Sequence, residues 1–122
     1  MKTIFTIALV SFFTMGHSQN QEIMKPYVIE VTSFKYAAAI DADTFWARDA
    51  EIEADYTKLQ PGFISRESGY SKSNNEVVVV VRWKTMADAD ASMQKFMADK
   101  SVMDYAEMID GPTMKMNRYE VK

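Results

Sequence analysis

The sequence predicts an α+β fold laid out in the order β-α-β-β-α-β, and three observations carry that expectation. Glu76 to Trp83 reads E-V-V-V-V-V-R-W, five consecutive valines whose branched side chains pack best on a pleated surface. Phe45, Ile52, Tyr56 and Leu59 recur at intervals of seven, four and three residues, the period of one helical face. Thr85-Met86-Ala87-Asp88 has the form of a capping box, a threonine with an acid three residues later, and opens a second helix.

Tyr27 to Tyr36 (Y-V-I-E-V-T-S-F-K-Y) reads as the first strand. Asp41-Ala42-Asp43 supplies N-cap oxygens for an amphipathic helix over Thr44 to Leu59. Gln60-Pro61-Gly62 ends it, because proline has no N–H to donate and glycine tolerates the turn. Phe63 to Tyr70 is the second strand, and Ser71 to Asn75 turns the chain into the valine strand. That run is unbroken instead of alternating, which predicts cover on both faces: helices on one and, in so short a chain, the sheet of a second copy on the other. The helix capped by Thr85 runs to about Ala98 with Met86, Ala89, Met93, Phe96 and Met97 inward. Ser101-Val102-Met103-Asp104 repeats the capping pattern before a short helix to Ile109, Gly111-Pro112 stops it, and Thr113 to Val121 is the last strand. The whole is the ferredoxin-like split arrangement.

Lys2, the apolar run Thr3 to Met15 and then Gly16-His17-Ser18 form a charged start, a hydrophobic stretch and small residues placed for cleavage. The expected organisation is a signal peptide over 1–18, a loose polar N-terminus over 19–25 and one folded domain over 26–122, exported to the periplasm or beyond. The apolar run is shorter than the roughly 20 residues that span a bilayer, so no membrane insertion is expected. Cleavage after Ser18 leaves 104 of the 122 residues, with 17 acidic against 13 basic once Lys2 is gone. That surplus of acid argues against a nucleic-acid partner. There is no cysteine, and the single histidine, His17, leaves with the signal. A mature chain without either residue has no Ser-His-Asp or Cys-His nucleophile, no His/Cys zinc site and no axial histidine for haem, so no cofactor is expected and proton transfer falls to Asp, Glu, Lys or Tyr. Met93 with Met97, and Met114 with Met116, raise a copper(I) reading. Methionine is more commonly an adaptable filler of cores, and no metal site is expected.

The element order, with P-G-F-I-S-R-E (Pro61 to Glu67), R-W-K-T (Arg82 to Thr85) and A-D-K-S-V-M-D-Y (Ala98 to Tyr105), resembles the dimeric α/β-barrel superfamily. Within it the chain is most similar to the antibiotic biosynthesis monooxygenase domain family, from about Tyr27 to Val121. The resemblance implies a homodimer of two four-stranded sheets packed face to face, with a pocket between sheet and helices in each subunit. It implies an activity too, a monooxygenase acting without metal or flavin on a small aromatic or quinone-like compound. Such enzymes bind and deprotonate an activated phenol, which then reacts with oxygen itself. In the haem-degrading branch an axial histidine falls at or near Glu107 of this chain and an asparagine stands in the first strand, where this sequence has none between Tyr27 and Tyr36, so haem is disfavoured.

The expected pocket residues are Val81 and Trp83 on the valine strand, Met93 and Met97 on the second helix, Trp46 on the first, and Arg66 and Arg82. Tyr105 and Glu107 are the expected base or polar anchor, provided they are buried, since desolvation moves a carboxylate toward a useful pKa. Against each stands a plainer reading. Trp83 is core packing, Trp46 covers a helix–helix seam, and the arginines, costly inside apolar strands, pair with Glu67, Glu30 or the partner subunit. Asp49, Glu51, Glu53 and Asp55 read as a solvated helix face. Two other functions fit the same outline: a non-catalytic small-molecule-binding or stress-related dimer, and a dimeric scaffold whose pocket is filled by its own side chains.

Overall fold

In the computed structural model, which describes residues 22–122, the valine run forms β3 (Glu76–Trp83) at the heart of a four-stranded sheet. The other strands are β1 (Tyr27–Tyr36), β2 (Phe63–Ser71) and β4 (Ile109–Val121), in the spatial order β2-β3-β1-β4 with every neighbouring pair antiparallel. The helices α1 (Ala42–Asp55), α2 (Met86–Ala98) and the five-residue α3 (Met103–Glu107) complete the chain. This is the predicted ferredoxin-like α+β arrangement. The predicted signal segment 1–18 and residues 19–21 lie outside the described residues. Among the described residues no helix is long and apolar enough to cross a membrane.

The helices end where their side chains dictate. Asp41 caps α1, its Oδ2 accepting from the Thr44 N–H at 3.0 Å, and Thr85 caps α2, its Oγ1 accepting from the Asp88 N–H at 3.1 Å. α1 is shorter than predicted: after Asp55 it tightens into a 3₁₀ turn over Thr57–Leu59. Gly62 then turns the chain at φ +78°, and a β-carbon there would lie 2.6 Å from the Asp88 β-carbon, so glycine alone fits. Before α3 the predicted Ser101 cap is not used. Asp99 caps the preceding 3₁₀ turn instead, accepting from the Ser101 N–H at 2.9 Å.

β4 begins four residues earlier than predicted and carries Gly111-Pro112 within it. These residues fall in a bulge between the pairs Ser33 with Lys115 and Lys35 with Asp110. A bulge is where a strand tolerates a residue with no N–H. Thr113 closes the gap in the ladder: its hydroxyl accepts from the Lys35 N–H at 2.9 Å and donates to the Asp110 carbonyl at 2.6 Å.

On the helix side of β3, Val77, Val79, Val81 and Trp83 are buried, joined by Val28 and Phe34 of β1 and by Phe45 and Ile52 of α1. Phe45 is the hub, with its ring stacked on Tyr105 at 5.4 Å and edge-on to Phe34, Tyr36 and Trp46 at 4.9–5.8 Å. The even residues Val78, Val80 and Arg82 are only half-buried, because among the described residues no element covers that face. The ladder sets Val80 beside Val31, and Arg82 beside Ile29, which in turn faces Tyr119 of β4. The predicted burial of β3 on both faces therefore holds on one face among the described residues. Met86 and Met97, predicted inward on α2, are exposed, while Ala89 is fully buried.

Candidate functional site

Between the sheet and the helices lies a cavity of about 510 Å³. Its floor is the helix side of the sheet, with Glu30, Thr32 and Phe34 of β1, Arg66 of β2, Val79, Val81 and Trp83 of β3, and Met114 and Met116 of β4. Ile52, Tyr56, Met93, Phe96, Met97 and Tyr105 form the roof. The volume and the apolar, aromatic character suit a small organic ligand. Trp83, Met93 and Met97 all line the space, and most of the Met97 surface is exposed.

Strand alternation sets one polar row across the floor. Arg66 pairs with Val81, Val81 with Glu30, and Glu30 with Arg118, so all four side chains share one face of the sheet. At one end Arg66 makes a two-pronged ion pair with Asp49 of α1, Nη2 donating to Oδ1 at 2.6 Å and Nη1 to Oδ2 at 3.1 Å. Tyr105 of α3 donates its hydroxyl to the same Oδ1 at 2.7 Å. Burial pushes the Asp49 carboxyl up, but the hydrogen bonds and charge of Arg66 and the Tyr105 hydroxyl outweigh it and hold Asp49 below the ordinary carboxylate value. Burial, and then the Asp49 charge, drive the Tyr105 phenol far above its ordinary range. At the other end Arg118 Nε donates to Glu30 Oε2 at 2.7 Å, and its Nη1 pairs with Asp90 of α2.

Among the described residues, two buried donors of the lining side chains have no protein partner, the Trp83 indole N–H and the Tyr56 hydroxyl. Burial, with a smaller contribution from the Asp99 charge, raises the Tyr56 pKa, so it stays a protonated donor. An unpaired buried donor costs roughly 1–3 kcal/mol, and these two atoms are closed off from solvent as well as from protein acceptors.

The structure gathers Val81, Trp83, Met93, Met97, Arg66 and Tyr105 around the cavity and leaves three expected residues outside it. Glu107 is exposed, since it lies two residues, about 200° of helical turn, beyond the inward Tyr105. Arg82 follows Val81 and so points to the opposite sheet face, where it pairs with Glu67 at 3.6 Å. Trp46 packs edge-on against Phe45 at 5.1 Å and does not line the cavity. Arg66 finds its partner in Asp49, a residue read as solvated. Asp49 is four residues beyond Phe45 and three before Ile52, on the buried stripe, and that spacing could have identified it. Glu30, read only as a salt-bridge partner, is buried in the cavity floor.

No family model matches the chain, and no curated protein does. Solved structures do match in fold. A cofactor-independent oxygenase from Streptomyces nogalater, SnoaB, superposes with a TM-score of 0.60 at 16% identity, covering 80% of this chain and 94% of that one. A Caulobacter crescentus protein described provisionally as an antibiotic biosynthesis monooxygenase gives 0.63 at 15% identity, covering 80% and 91%. A Bacteroides thetaiotaomicron protein of unknown function, described as a possible oxidoreductase, gives 0.61 at 12% identity, covering 80% and 100%.

Proposed function

We propose, from a fold shared with a cofactor-independent oxygenase and from the cavity, that the chain is one subunit of a homodimeric monooxygenase-like enzyme. It takes a small aromatic or quinone-like compound and lets it react with O₂ without metal or flavin. The observation that carries this reading is the apolar, aromatic-lined cavity of about 510 Å³ with a buried carboxylate, Glu30, in its floor. A phenol or its keto tautomer, once deprotonated, gives an electron-rich anion. The anion passes one electron to O₂ and recombines with the resulting superoxide at a ring carbon, giving a peroxide that takes up a proton. Where that carbon still bears hydrogen, loss of water leaves a quinone carbonyl. One oxygen atom of O₂ ends in the product and the other in water.

Oxygen uptake tests this directly. Mature protein mixed with a hydroxyanthrone and isotopically labelled O₂ is expected to consume oxygen and yield a quinone with one labelled atom, with no added metal or flavin. Tight binding without oxygen uptake assigns the cavity to the non-catalytic binding protein instead. The open cavity weighs against the scaffold whose pocket is self-filled.

The dimer of this reading forms through the uncovered sheet face, where Ile29, Val31, Val78 and Val80 make an apolar centre beside Tyr119. A partner sheet there removes it from water. Val80→Lys is expected to halve the mass measured by sedimentation while leaving the subunit folded. A wild-type monomer refutes the dimer. The export of the chain, by cleavage near Ser18, belongs to the same proposal and is tested by the N-terminal sequence of protein recovered from the host's exported fraction.

A further inference from the structure

We propose that Glu30 is the proton acceptor of this cavity and restricts its ligand to a neutral, weakly acidic hydroxy-aromatic compound, an inference that rests on the oxygenase reading above. Among the described residues Glu30 is the one acid in the cavity wall. It is 6% exposed, in the middle of β1 on the helix side of the sheet, where an apolar residue would pack at lower cost. Its tie to the protein is the 2.7 Å bond from Arg118 Nε. Arg118 is shared, since Nη1 holds Asp90 and Nη2 gives a 3.4 Å bond to the Ala89 carbonyl. Glu30, Arg118 and Asp90 together therefore carry one surplus negative charge. Arg66, the cation in the same wall, offers no relief, because both its terminal nitrogens are bound to Asp49.

The other candidates for a base fall away on geometry. The Tyr105 hydroxyl is already engaged as a donor to Asp49 in a 2.7 Å hydrogen bond, and Glu107 is outside the cavity. Glu30 is well placed with respect to the apolar floor of the cavity. Val81 stands directly opposite Glu30, and Trp83 is two residues further along β3 on the same face. Such diagonal neighbours are about 7–8 Å apart, a span that one ring system bridges. A ring lying across this span keeps an acidic hydrogen of the ligand within reach of the carboxylate. In the step the Glu30 carboxylate takes the proton from a C–H or O–H of the ligand, and the bonding pair moves into the ring as an enolate or phenolate. No electron leaves the ligand until O₂ arrives. An anionic ligand meets the surplus charge instead and is disfavoured.

Hydrogen exchange at carbon isolates this step from oxygenation. Under argon in D₂O, wild-type protein is expected to exchange the acidic methylene hydrogens of a hydroxyanthrone faster than buffer does, because protonated Glu30 trades its proton with solvent and returns a deuteron. Glu30→Gln is expected to slow exchange by about 10²–10⁴-fold, the usual contribution of a positioned base, with binding read from tryptophan fluorescence unchanged. Glu30→Asp keeps the charge beside Arg118, and with it the fold, but withdraws the carboxylate by one methylene. It is expected to lose about tenfold or more, as misplaced catalytic groups do. An analogue carrying a ring carboxylate is expected to bind at least about tenfold more weakly, as a like charge placed against a buried charge does. Wild-type exchange rates in either variant, or binding without exchange in the wild type, overturn the role of Glu30 and leave the oxygenase reading standing. Equal affinity for the carboxylated analogue overturns the charge restriction. Failure of any neutral hydroxy-aromatic to bind removes the oxygenase reading and this inference with it.

Discussion

Replacing Asp49 with alanine is expected to destabilise the protein by about 3–5 kcal/mol, because the change strands the Arg66 guanidinium in the interior with no counter-charge. The Arg66 and Asp49 side chains are 3% and 6% exposed, so water cannot take the missing partner's place. The Tyr105 hydroxyl loses its acceptor in the same stroke. A urea titration reads the loss as a lower midpoint with an unchanged slope. The contrast is Asp104→Ala, which removes an exposed partner of Arg48 and is expected to cost at most about 1 kcal/mol. Equal losses in the two variants contradict the account. The pH dependence carries a second signature. Because the folded Asp49 carboxyl lies below its ordinary value, its stabilisation is complete above the unfolded-state pKa of about 3.9 and is lost as pH falls through the lower folded value. In that window the unfolded chain holds the proton and the folded one does not, so wild-type stability drops with acid more steeply than that of Asp49→Asn.

Phe45→Ala is expected to cost about 3–5 kcal/mol by a different route, the loss of buried aromatic contacts and the void that remains. Phe45 is fully buried and touches Phe34, Tyr36, Trp46 and Tyr105, so it joins β1, α1 and α3 at one point. Against a usual total of about 5–15 kcal/mol, either substitution removes a large fraction of the stability. Phe45→Leu, which refills most of the volume, is expected to recover much of the loss in the same titration. A Phe45→Ala midpoint within error of wild type contradicts the central place of this ring.

The elements were legible because their signals are local. β1, β3 and α2 have the ends read from the sequence, set by β-branched runs and by the Thr85 cap. The start of β4 was not legible, because Pro112 reads as a strand breaker and the Thr113 hydroxyl that repairs the ladder acts on Lys35, 78 residues away. The site was legible where period alone decides orientation, as for Val81, Trp83 and Met93. It failed at Glu107, where an expectation carried by alignment met a five-residue helix that faces Tyr105 inward. It failed again at Asp49, where four alternating acids suggested a wet surface while the spacing to Phe45 and Ile52 placed this one on the buried stripe. Both buried carboxylates, Asp49 and Glu30, answer arginines that sequence distance hides, 17 and 88 residues away.

The two arginines also stand on the two edge strands, Arg66 on β2 and Arg118 on β4, and each reaches up to a different helix, α1 through Asp49 and α2 through Asp90. They act as struts at opposite walls of a room whose ceiling is the helix layer. The height of that ceiling is thereby pinned by polar ties at the margins as well as by the aromatic core around Phe45. Side chains such as Met93 and Met97, outside the buried core, can be recut by mutation, changing the shape of the interior while the frame keeps its span. A scaffold of this design admits drift in what it binds without renegotiating how it folds.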